Sequence, residues 1–512
     1  IPIILQTTLT ADAVSFFLWS FYWMVLYPAY FTPFLHLPTP KNRGIITGNE
    51  NGLFTEFPWD VACRFYDKVP NQGLIRYYVA LSNERILVTS PQGLSEILSS
   101  KSYDFGKSNL SKFAIKRFTG NGLGFLDGDE HKVGSLRKSL MPAFTARHIQ
   151  DLIPTFWSKA VEMTHGIEET VRLNPTGEAV VALHDWGTRA TLDIIGVAGL
   201  GYNFDTLNHP DNELSRQYKK MFIEPSNAFN WLELLGNYID FRFLLKLPIK
   251  KNLELTQGSN FMRNIAAQVI RERQEKLHVS GDSGLKDIIT TALASGAFTN
   301  DQLVDHVMTF LVAGHESTAT AFEWTMYELG QRPDIQSRLR REIRDRMPSS
   351  LDTANPLLVE TLPYLNAVCS EVLRFHPFVP FATRVAEKDT TVLGQHIPKG
   401  TILAYAAEAT NHDEKLWGPS GGRFDPERFM APGAANSGGA ISNFAFLTFS
   451  AGPKSCIGQK FTRTELACLV AAVVGVFEIR LVNNLTAGNL KLGKTKKSKE
   501  GIFAIMKRLD GW

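Results

Sequence analysis

The stretch FSAGPKSCIG, Phe449 to Gly458, sets one of only four cysteines in the 512-residue chain among glycines, a proline and a lysine. The run after it, IGQKFTRTELACLVAAVVGVF, has a helical pattern reaching about Phe477, so Cys456 falls at a helix N-terminus. Unpaired N–H groups and the positive end of the helix dipole lower a thiol pKa at such a place and favour the thiolate. Gly452 and Gly458 allow the backbone to approach something flat and large, and Phe449 can pack on the same object. A sheltered thiolate beside glycines suits a soft or borderline metal such as iron; the competing reading is an inert core thiol. Cys468, mid-helix among apolar residues, is read as inert.

Two other constellations break local rules. FLVAGHESTATA lies in a helix expected from Asn300 to about Gly330, roughly 45 Å at 1.5 Å per residue. Gly314, Ser317 and Thr318 have poor propensity for a helix interior, and Glu316, Ser317 and Thr318 bring polar groups into an apolar stretch. Such departures often mark function; the alternative is a kinked helix with solvent-facing hydroxyls. In SEVLRFHP, Glu371 and Arg374 stand three apart on one helix face, by themselves no more than an ordinary ion pair.

The elements that must position these residues are chiefly helices. Helical periodicity runs from Pro91 to Glu342. Strand signals occur in LIRYYVAL and RILVTS, joined at Ser82-Asn83-Glu84, then in TVLGQHIPKGTILAYAA and GIFAIMKRL. A composition of 44% hydrophobic and 21% charged residues supports a large core, and a net charge of +3 argues against nucleic acid as a partner. Four irregularly spaced cysteines with no CxxC argue against a disulfide framework or a zinc site and for a reducing compartment. Ala13 to Pro40 contains no Asp, Glu, Lys or Arg, and Trp19, Tyr22, Trp23, Tyr27 and Tyr30 suit a membrane interface. With no basic n-region or small-residue cleavage site visible, a membrane anchor is preferred to a cleaved signal peptide. Lys41 and Arg43 follow it, which directs the rest of the chain to the cytosol.

Phe-x-x-Gly-x-x-x-Cys-x-Gly resembles the haem-binding signature of the cytochrome P450 family. Glu371 and Arg374 resemble the family's ExxR motif, FDPERF resembles its PERF motif, and AGHEST resembles its oxygen-activation motif with Ser317 where threonine is usual. The resemblance implies a mainly α cytochrome P450 fold with small β-sheets: an N-terminal transmembrane helix over 1–37, then a monooxygenase domain over 38–512. It implies haem b with Cys456 as axial ligand, a buried structural triad of Glu371, Arg374 and Arg428, and proton relay through Glu316, Ser317 and Thr318. Lys454, Arg384 and Arg137 are the implied propionate cations. Four residues before Arg137 the family usually has Trp or His; here Val133 stands there, and His131 is read as a capping or solvated residue. No GxGxxG follows a strand, so electrons come from outside the chain; the resemblance implies NADPH through a membrane-bound cytochrome P450 reductase, with cytochrome b5 an optional partner and Lys454, Lys460 and Arg463 a candidate docking patch. The expected enzyme is a monomer in the endoplasmic reticulum membrane that oxygenates a lipophilic intermediate of fungal secondary metabolism. Phe105 to Phe125, Phe222 to Phe243 and FVPFATR are candidate pocket segments. The alternative is a non-oxidative haem-thiolate protein, either an isomerase or dehydratase or a sensor or carrier.

Overall fold

The computed structural model describes residues 12, 14–50, 56–108, 112, 116, 118–124, 135–221, 250–280, 287–347, 350–482 and 501–512. They form two compact units that interleave along the chain: Ile1–Ser108 with Pro380–Thr410 and Ala451–Lys454, and Asn109–Val379 with Asn411–Ser450 and Ser455–Trp512. The strands among them are β1 (Leu74–Val79), β2 (Asn83–Val88), β3 (Phe105–Gly106), β4 (Glu178–Ala182), β5 (Phe381–Ala386), β6 (Thr390–Val392), β7 (Gln395–Ile397), β8 (Ile402–Ala406), β9 (Phe477–Leu481) and β10 (Phe503–Arg508).

The first unit holds a five-stranded sheet in the order β1-β2-β8-β5-β3, in which only β2 and β8 run parallel. Helix α1 (Pro58–Lys68) buries Val61, Ala62 and Phe65 against Ile75, Leu87 and Ala404 of this sheet. The turn between β1 and β2 is a short 3-10 segment, Ala80–Ser82, with Leu81 and Ser82 at positive φ. Val14–Phe31 is helical, and long and apolar enough to cross a membrane; Phe16, Phe17, Trp19 and Trp23 are largely exposed. Its second half, Tyr22–Phe31, is a widened π-helix around Pro28, whose ring cannot sit in a regular α-helical ladder. The Pro28 carbonyl accepts instead from Arg76 of β1, while Arg43 donates to the Met24 carbonyl at 2.8 Å and stacks on Tyr78.

The second unit is a helical body with the small sheet β4-β10-β9. Its helices include α2 (Ser135–Leu140), α3 (Ala146–Arg172), α4 (Leu183–Ile194), α5 (Asn300–Gln331), α6 (Pro333–Arg346), α7 (Pro363–Phe375) and α8 (Gln459–Val476). α8 is buried almost all round, as its continuous apolar composition requires, and α3, α5, α6 and α7 pack on it. α5 is capped by Thr299: its hydroxyl accepts from Gln302 N–H and the Gln302 side chain accepts from Thr299 N–H. The stretch from Pro91 to Glu342 is mainly helical, as its periodicity indicates, with the short strands β3 and β4 set into it. EAVVA pairs with β10, a partner more than 300 residues away that local periodicity does not register.

His306 on α5 supplies a pH test of this unit. It is wholly buried, its Nδ1 accepts the Leu123 N–H at 3.1 Å, and burial lowers its pKa to about 4. The unfolded chain therefore binds this proton below about pH 6.5 while the folded chain does not until about pH 4. Stability falls as pH drops through that window, by up to about 3 kcal/mol, and levels off below it. Denaturant titrations of wild type and His306→Gln at pH 7 and pH 4.5 check this: the loss on acidification should be smaller in the variant.

Candidate active site

Along the middle of α5 most side chains are buried, but Val312, Ala313, Gly314 and Ser317 are accessible. These positions recur at helical spacing and mark an open face. Ser317 lies on it, with its hydroxyl bonded back to the Ala313 carbonyl at 2.8 Å. Gly314 lies where α5 passes Ile195; a Cβ there would meet the Ile195 side chain at a tight 3.1 Å. Thr318 is turned away: it is fully buried, bonds to the Gly314 carbonyl at 3.3 Å, and faces Glu465 of α8. Thr318 therefore points away from the open face that Ser317 occupies, because one residue is a turn of about 100°. Glu316 is buried between two histidines, with His315 Nε2 3.1 Å and His184 Nε2 3.6 Å from its oxygens.

Cys456 lies in a turn just before α8. Its N–H donates to the Phe449 carbonyl at 2.9 Å, which closes the FSAGPKSC segment into a loop. The side chain is exposed, whereas Cys369 and Cys468 are buried. Dense protein round the loop pushes the Cys456 thiol up, against the expected lowering; the Gly458 N–H and the charge of Arg137 act in the opposite direction. A Cβ on Gly458 would find only the Cys456 sulfur, at 3.9 Å. Arg137 of α2 donates to the Ser455 carbonyl at 2.8 Å and so braces the loop next to the thiol. Phe449 is buried, with Arg463 over its ring at 5.5 Å.

Three expected cofactor contacts lie in the first unit and have local partners. Gly452 has φ +73°, and a Cβ there would fall 2.0 Å from the Leu98 carbonyl oxygen, so close packing on Leu98 already requires glycine at this position. Lys454 donates to the Phe105 carbonyl at 2.9 Å, and Arg384 of β5 contacts the Thr383 carbonyl and the Tyr405 hydroxyl. Lys460 pairs with Glu360 at the surface, and Arg463 is held by the Ser370 hydroxyl at 2.8 Å. His131, Val133, Phe125 and Phe222 to Phe243 lie outside the described residues.

Glu371 and Arg374 of α7 are wholly buried and joined by two bonds of 2.7 Å. Arg428 reaches the same carboxylate at 3.2 Å, and the Asp425 N–H donates to it at 2.7 Å. Arg374 also donates to the carbonyls of Gly421 and Arg423, and Arg428 to that of Ser420. The three side chains thus tie α7 to the irregular segment that leads towards the cysteine loop. Sequence reasoning missed Glu465 and His184. Glu465, the one acid in a long apolar helix, was open to notice as a buried charge; burial pushes its carboxyl well up. His184 carries no local signal.

A profile of the family described as Cytochrome P450 matches residues 64–495. The chain is 60% identical to Cytochrome P450 monooxygenase FSL4 of Gibberella zeae over 100% of its own length and 95% of that protein's. It is 42% identical to Cytochrome P450 monooxygenase sphH of Aspergillus fumigatus, covering 98% of this chain and 93% of the relative. Cytochrome P450 monooxygenase FUM15 of Gibberella moniliformis is 37% identical, with 91% and 86% covered. With a helical body, an accessible cysteine in its glycine loop and these relatives, the chain belongs to the cytochrome P450 family and is a haem-thiolate monooxygenase.

Proposed function

We propose that this enzyme inserts one oxygen atom from O2 into a lipophilic small molecule, an intermediate of fungal secondary metabolism, with Cys456 as the axial ligand of haem b. The observation that carries this reading is the Cys456 thiol, accessible in a loop closed by its own backbone and flanked by the Gly458 N–H and Arg137. That donor set fits haem: one soft sulfur, an N–H and a cation to support its negative charge, and no side chain on Gly458 to obstruct the sulfur. Bound there, thiolate-ligated haem would supply electron density that favours O–O cleavage. Arg137, and Lys454 and Arg384 within their own unit, are the cations proposed for the propionates. Glu316 and Ser317 are proposed as the proton-handling pair, Ser317 on the open face of α5 and Glu316 behind it.

The helix Val14–Phe31 is proposed as a single-pass anchor in the endoplasmic reticulum membrane, with residues 1–37 as anchor and 38–512 as the cytosolic catalytic domain. Lys41 and Arg43 support that orientation. Electrons would come from NADPH through cytochrome P450 reductase. Comparing metabolites of producing cells with and without the enzyme tests the reading: one lipophilic compound should accumulate and its oxygenated product disappear. Purified enzyme should convert that compound only with reductase, NADPH and O2; conversion without NADPH would instead establish an isomerase or dehydratase. Ser317→Ala should lower product per NADPH by about tenfold and raise hydrogen peroxide release, because the hydroxyl on the open face is lost.

A further inference from the structure

The acid on α5 sits in a chain of side chains that runs outward. Glu316 is flanked on one side by His315, wholly buried, whose Nδ1 meets the buried Tyr218 hydroxyl at 2.7 Å. On the other side stands His184, in the first turn of α4, with its side chain about one-third exposed at 32%. Its Nε2 is 3.6 Å from a Glu316 oxygen, a small rotation short of a hydrogen bond. Its Nδ1 is 3.0 Å from Glu323, two turns further along α5, and the other Glu323 oxygen accepts the Ile502 N–H at 2.7 Å. Gly187 lets α4 come this close to α5, since a Cβ there would lie 3.1 Å from Phe322 and 3.4 Å from the Ala319 carbonyl. A carboxylate anchored on both oxygens thus directs one imidazole nitrogen and leaves the other aimed at Glu316.

We propose that His184 is the positioning residue that hands solvent protons to Glu316, with Glu323 holding its ring in the productive orientation. Protonated His184 releases the Nε2 proton to a Glu316 oxygen and is reprotonated from water, so the net change is one solvent proton brought to the carboxyl behind Ser317. Of the two histidines flanking Glu316, His184 suits this role because His315 has no accessible surface. The inference rests on the reading of Glu316 as the proton-handling acid.

The test uses full-length, haem-loaded protein and needs no substrate. Dithionite-reduced enzyme is mixed with O2 in H2O and in D2O, and reoxidation is followed at the Soret band. His184→Gln places an amide near the Nε2 position, and His184→Asn keeps a donor for Glu323; neither can release a proton. Both should slow reoxidation by about tenfold and enlarge the solvent isotope ratio, and Glu316→Gln should do the same. Melting temperatures of His184→Gln, Glu316→Gln and the double variant should be non-additive, which reports the contact independently of turnover. If His184→Gln and His184→Asn reoxidise as wild type, or slow without a change in isotope ratio, while Glu316→Gln behaves as expected, the relay is wrong and the acid stands. If Glu316→Gln is also silent, the relay falls together with the reading beneath it.

Discussion

Purified Cys456→Ala protein, reduced and exposed to carbon monoxide, will lack the red-shifted Soret band of a thiolate-bound iron, and its monooxygenase activity will fall to background. The reason is local. Only the sulfur of Cys456 is proposed to hold the metal, and the features round it serve that sulfur: the Phe449 carbonyl that fixes the loop, the Gly458 N–H, and Arg137 bonded to Ser455. Removing the sulfur leaves these without an object. Burial pushes the free thiol up, so metal binding must displace its proton, which a coordinating cation does outright. Cys468→Ala is the control. That thiol is buried in α8 with no exposed surface, so its truncation leaves a small cavity, a cost of about 1 kcal/mol, and should leave the spectrum intact. A Cys456→Ala spectrum indistinguishable from wild type would refute the ligand assignment.

Glu371→Gln should cost about 3–5 kcal/mol and sharply reduce the yield of haem-loaded protein. Glu371 is the carboxylate that both Arg374 and Arg428 contact, and all three side chains are buried. Without it, two guanidinium groups remain inside the protein with no counter-charge, only neutral carbonyls and the Ser420 hydroxyl as hydrogen-bond partners among the described residues. Against a typical total stability of about 5–15 kcal/mol, that loss decides whether the fold persists. Arg374→Lys should rescue poorly, since an ammonium cannot make the paired 2.7 Å bonds and also reach Gly421 and Arg423. Thermal melts and the carbon monoxide spectrum measured together check this. Replacing all three residues by apolar ones of similar volume should be milder than Glu371→Gln alone, because it strands no charge. If Glu371→Gln melts within a degree of wild type, the triad is not a structural keystone.

Much of the site can be read from residue order because its signals are local. An isolated cysteine before an apolar run, an acid and a base three apart, and a glycine followed by polar residues in a helix each depend on neighbours within a turn or two. The same locality explains what residue order does not register. β4 is a strand because residues near the C-terminus pair with it, and Thr318 is removed from the open face by a rotation that places it against Glu465. The lowered thiol pKa expected at a helix end yielded to burial, since desolvation depends on everything packed around the sulfur. Gly452 is required by Leu98, more than 350 residues earlier.

The amino-acid order alone determined the helical class, the apolar N-terminal segment, the cysteine loop and the motif residues, for these follow from periodicity, composition and spacing along the backbone. Tertiary structure alone decided which hydroxyl on α5 meets open space, which glycine is closely packed, and that His184, held by Glu323, stands beside Glu316. Such relations are set by how α4, α5 and α8 pack, and side chains that touch across helices leave no pattern along the chain that carries them.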